Sequence, residues 1–83
     1  MGVEKIKVER VQTGVRIEKR MLKVLKALAE YHDISLGDLL EGIVLHSFAG
    51  KSPFGAESIE RIDALKQVYE MDYDFSASHR LIE

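Results

Sequence analysis

Eighty-three residues, a formal net charge of −2 and a 46% hydrophobic share describe at most one small domain. Cysteine is absent, which excludes disulfides and thiolate metal sites together. A chain this short builds a modest core, and such a large apolar share predicts burial against a second copy.

No run approaches the roughly 20 apolar residues that a bilayer-spanning helix needs. Met1 to Arg10 alternates charge with aliphatics and lacks the apolar block of a signal peptide, so the expected compartment is the cytosol. The charge is unevenly spread. Residues 1–26 carry eight bases (Lys5, Lys7, Arg10, Arg16, Lys19, Arg20, Lys23 and Lys26) against three acids, a net +5. Residues 27–83 carry four bases against eleven acids, a net −7. A small overall charge therefore conceals a basic end and an acidic end.

From Glu4 to Val8 aliphatics alternate with charges, Ile6 and Val8 falling on one side. The register then slips, because the next aliphatics are Val11, Val15 and Ile17, with Thr13 between them. One extended element cannot keep both sets on one face. The pattern predicts a main strand over 12–17, with residues 1–10 an arm or a strand joined through a bulge near Glu9–Arg10. From Lys19 the period is helical: Met21, Leu22, Val24, Leu25, Leu28, Ala29 and Tyr31 make an apolar sector wider than a surface helix needs. This helix is expected to stop near His32–Asp33.

Ser35 followed by Asp38 reads as a helix N-cap. The helix it opens, Leu36 to about Ala49, is expected to bury Leu36, Leu39, Leu40, Ile43, Val44 and Phe48. Gly42 in its middle admits two readings, close approach of a second helix or simple tolerance. Gly50 and Pro53 mark a break. A third helix is predicted from about Ala56 to Glu70, with Ile59, Ile62, Leu65 and Tyr69 at helical spacing. Residues 72–83 have no clear period.

The order of strand, basic-flanked helix, Ser-capped turn and apolar helix over residues 11–49 resembles the ribbon-helix-helix family of DNA-binding proteins. The segment TGVRIEKRMLKVLKALAEYHDISLGDLLEGIVLHSF carries the likeness. Val15-Arg16-Ile17-Glu18 looks like the family's strand entering its first helix, and His32-Asp33-Ile34-Ser35 like its inter-helix turn. The resemblance implies a mostly α homodimer. One N-terminal strand from each chain pairs across the two-fold into an antiparallel ribbon over interlocked helices, here with a third, C-terminal helix. Its parts would be a basic arm (1–10), a ribbon-helix-helix domain (11–50) and a C-terminal helix and tail (51–83).

The function implied is transcriptional regulation, with repression expected and the ribbon reading the DNA major groove. On that analogy Thr13, Val15 and Ile17 face the helices, while Gln12, Gly14 and Arg16 face the bases. Gly14 offers no side chain for readout. Phosphate contacts would come from Lys5, Lys7 and Arg10 and from the start of the second helix at Ser35, Leu36 and Gly37, although Asp38 there repels a phosphate. The dimer core would comprise Val15, Ile17, Leu22, Leu25, Leu28, Leu40, Ile43 and Val44.

A helix-turn-helix over residues 19–49 is a weaker reading, since two of its four exposed recognition positions, Asp38 and Glu41, repel DNA. The competing function is a protein-interaction module or antitoxin whose residues 51–83 bind a protein partner. Its plainer counterpart has the third helix packing back on its own dimer. No enzymatic motif stands out, and His32, His46 and His79 are too far apart for a local metal motif. Neither a cofactor nor a metal is expected.

Overall fold

The computed structural model describes residues 4–83. Its elements are α1 (Lys19–Tyr31), α2 (Leu36–Phe48), α3 (Ala56–Val68) and a short 3-10 turn at Phe75–Ala77. Helix α1 is the centre, packing against both α3 and α2. The core is small: Leu28 and Ala29 of α1 meet Leu39 of α2, and Leu25, Ile43, Phe54, Ile62 and Leu65 close around them. Val24 is also buried. Phe54 reaches this cluster from the loop after Pro53, a contribution the helical periodicity does not reveal.

One expectation is overturned. Among the described residues there is no strand, so the ribbon over 12–17, the bulge near Glu9–Arg10 and the ribbon-helix-helix fold class all fall; what stands is a small all-helical architecture. A strand exists only where its N–H and C=O groups pair with a neighbouring strand. No second such segment lies beside residues 12–17, and residues 4–18 are irregular. The alternation of Thr13, Val15 and Ile17 does not translate into a buried face either: Val15 is 74% exposed, and only Ile17 is half-buried. Residues 1–3 of the expected arm lie outside the described residues.

The helices themselves follow their local chemistry. Ser35 accepts a hydrogen bond from the Asp38 amide at 3.0 Å and so caps α2. All three helices end alike. In α2 the Gly50 amide donates to the Ser47 carbonyl at 3.0 Å and the Lys51 amide to the His46 carbonyl at 2.9 Å, with Gly50 at φ 68°. This is the Schellman pattern, and it requires a left-handed residue just past the helix. Asp33 (φ 59°) and Glu70 (φ 56°) take the same place after α1 and α3, where a Cβ makes the conformation less favourable.

Helix α2 is apolar nearly all round, yet Leu39 is its one buried residue. Val44 (43% exposed), Leu45 (67%) and Phe48 (83%) face outward. Apart from the helix's own backbone and Gly42's immediate neighbours, no atom lies within 4 Å of where a Cβ on Gly42 would stand, so close helix approach does not occur there within this chain.

Candidate nucleic-acid interface

The basic residues of the first third of the chain fall on two surfaces. The first is the irregular segment 4–18, whose Lys5, Lys7, Arg10, Gln12, Gly14 and Arg16 are all exposed. The second is the start and outer face of α1, where Lys19, Lys23 and Lys26 join Arg20.

Where the first surface meets the N-terminus of α2, an open cleft is lined by Glu9, Arg10, Val11, Thr13, Ser35, Gly37, Asp38 and Glu41. The structure thus brings together Arg10 and the start of α2, two of the expected phosphate-contacting features. Helix N-terminal amides favour an anion there, but Asp38 and Glu41 oppose one. Arg10 is already engaged: its Nε and one terminal nitrogen each donate to Glu41 at 2.9 Å. This bidentate pair raises the Arg10 pKa and lowers that of Glu41, the hydrogen bond between them being the larger cause in each case. Lys5 and Lys7 lie outside the cleft lining.

At the start of α1 a second constellation forms that periodicity did not reveal. Glu18 is the N-cap of α1, its carboxylate accepting from the Arg20 amide at 2.9 Å and the Met21 amide at 3.2 Å. Glutamate is not among the favoured capping residues, and the tail explains its use. The Tyr73 hydroxyl donates to the same carboxylate at 2.5 Å. Arg20 pairs with Glu18 and with Asp72, each at 3.2 Å, and donates to the Glu70 carbonyl at 3.0 Å. Its guanidinium also lies 5.5 Å from the centre of the Tyr73 ring. Farther along α1, the Lys23 ammonium stands 5.8 Å from the centre of the Tyr69 ring. Arg16, the expected base reader, pairs with Glu83.

These contacts set two ionisations. The hydrogen bond from Tyr73, followed by that from the Arg20 amide, holds Glu18 down at about 2 against an ordinary 4.5. Burial, followed by the Glu18 hydrogen bond, pushes Tyr73 up to about 12 against an ordinary 10. A depressed carboxylate contributes stability that is present above pH 4.5 and lost as pH falls toward 2. A raised phenol contributes stability that is present below pH 10 and lost as pH rises through about 12. Titrating the phenolate absorbance should therefore show one of the three tyrosines ionising near pH 12, and Tyr73→Phe should remove that late component. An unchanged curve in Tyr73→Phe would mean that the contact does not exist in solution.

The residues expected in a dimer core divide. Leu28 is fully buried, Ile17, Leu22, Leu25, Leu40 and Ile43 are half-buried, and Val15 and Val44 are exposed. Among the described residues no group of three His, Asp or Glu side chains is placed to hold a metal ion. Among them, too, no helix is long and apolar enough to cross a membrane. Comparison with protein-family models, with curated proteins and with solved structures finds no match to this chain.

Proposed function

We propose that this chain is a non-catalytic, DNA-binding transcriptional regulator, a repressor, that works as a homodimer. The observation that carries the reading is the concentration of eight bases in the first 26 residues, most of them on exposed surface, in a chain of net charge −2. A charge excess gathered at one end attracts a polyanion even when the overall charge is slightly negative. Lys5, Lys7 and Arg10 supply phosphate contacts in this reading. Arg16 can donate two hydrogen bonds to a guanine edge, and Gln12 can pair with adenine. The Arg10–Glu41 pair is exposed on both sides, and such pairs are weakly held against a competing phosphate. The cytosol is the compartment in which such a regulator would act.

The antitoxin-like alternative draws less support. Ile62 and Leu65 of α3 are spent on the chain's own core, which leaves Ile59, Val68, Phe75, Leu81 and Ile82 as the large apolar residues facing outward from 51 to 83.

The test is anisotropy of a labelled mixed-sequence duplex, titrated against salt. Affinity should fall steeply as salt rises. Each of Lys5→Gln, Lys7→Gln and Arg10→Gln should reduce the logarithmic salt slope by roughly 0.9 for every phosphate no longer neutralised, or about 2 per dimer. Absence of binding at about 50 mM salt, where phosphate contacts are strong, would turn the search to protein partners of residues 51–83.

A further inference from the structure

The segment after α3 is fixed at one point and laid loosely across another. Left-handed Glu70 turns the chain back, and the Met71 amide donates to the Lys66 carbonyl at 2.8 Å. This reversal delivers Asp72 and Tyr73 to Glu18 and Arg20. There the tail makes the Tyr73–Glu18 hydrogen bond, the Arg20–Asp72 ion pair and the Arg20 bond to the Glu70 carbonyl. A second reversal follows at His79, also left-handed at φ 65°. Beyond it Leu81, Ile82 and Glu83 line an open cleft together with Arg16 and Ile17. In that cleft the Glu83 carboxylate pairs with the Arg16 guanidinium.

We propose that residues 79–83 are a flap whose Glu83 carboxylate occupies Arg16 in the uncomplexed protein and is displaced when the phosphates of DNA arrive. The inference rests on the DNA-binding reading above and adds to it a competitor carried by the same chain. The difference between the two ends of the tail is what makes it a flap. At the anchor, one arginine is held by two carboxylates, a carbonyl and an aromatic face, and both Glu18 and Tyr73 are partly buried. At the flap, the Arg16 and Glu83 side chains are 85% and 80% exposed, and Ile82 is 96% exposed. An ion pair so open to water is nearly balanced between made and broken. Duplex DNA presents one negative charge about every 1.7 Å along its axis, against the single carboxylate of Glu83, and wins Arg16 by charge density. The anchor keeps the flap beside Arg16, so it re-forms on release without a search.

Three full-length proteins decide the matter: wild type, Glu83→Gln, and Glu57→Gln as a control. The control removes the same charge from an exposed position on α3. Binding of a labelled mixed-sequence duplex at about 50 mM salt should be about 2- to 5-fold tighter for Glu83→Gln, the range an exposed ion pair can supply. Glu57→Gln should gain distinctly less. Binding by Glu83→Gln where wild type shows none would support the flap more strongly still. Duplex binding by wild type with equal gains in the two variants would overturn the flap and leave the DNA reading intact. No binding by any of the three would remove both.

Discussion

Leu28→Ala is expected to destabilise the protein by about 3 kcal/mol, within the roughly 2–5 kcal/mol seen for large-to-small changes at buried sites. Leu28 is 1% exposed, the one large side chain shut off from water among the described residues, and it sits where all three helices meet. Its removal takes away apolar burial and leaves a cavity that the neighbours on α2 and α3 close incompletely. A domain of this size has a total stability on the order of 4–12 kcal/mol, so the loss is a large part of the whole. Chemical denaturation followed by circular dichroism would measure it as a lower midpoint. A change below about 0.5 kcal/mol, the range of ordinary surface substitutions, would mean that the core is not centred on Leu28.

Phe48→Glu is expected to weaken self-association at least 30-fold, the equivalent of about 2 kcal/mol at an interface hot spot, while leaving the helices formed. The chain exposes 7575 Å², against about 5,000 Å² expected for a folded monomer of 9.4 kDa. The excess of roughly 2,500 Å² is shared between the exposed irregular segment 4–18 and the uncovered helix faces, and it is larger than the ~800 Å² that each partner gives up in a standard interface. Helix α2 holds a continuous part of it in Val44, Leu45 and Phe48. A helix apolar over most of its circumference is one that is covered over most of it, and this chain covers only the side bearing Leu39. Sedimentation of wild type and variant across a concentration series would read the effect. A wild type that stays monomeric throughout would refute the homodimer.

The helices were legible because each is written in local terms. A 3.6-residue apolar period marks α1, Ser35 and Asp38 mark the start of α2, and Gly50 with Pro53 marks its end. Their bounds agree with the pattern to within a residue or two, α3 stopping at Val68 instead of Glu70. The strand failed for the opposite reason. Alternation is local, but pairing is not, and among the described residues no neighbour exists for residues 12–17 to pair with. The basic surface could be read from where the charges fall along the chain, since lysines are mostly exposed. The carboxylates that neutralise its arginines could not. Glu41 lies 31 residues from Arg10, Asp72 lies 52 from Arg20 and Glu83 lies 67 from Arg16, separations at which no period or spacing rule operates. The one local signal was Glu18 itself, a poor capping residue at a helix start, which implies a further partner for its carboxylate.

That shared carboxylate also governs how the molecule comes apart. The N-terminus of α1 and the tail beyond α3 meet at Glu18, and α1 and α3 share the larger helix interface. These two regions should therefore open as a single cooperative unit, since loosening the tail uncaps the helix and uncapping the helix releases the tail. Helix α2 joins through the smaller interface, with Leu39 as its one buried side chain. In the isolated chain its amides should therefore exchange with solvent before those of α1 and α3, which protect one another and exchange together.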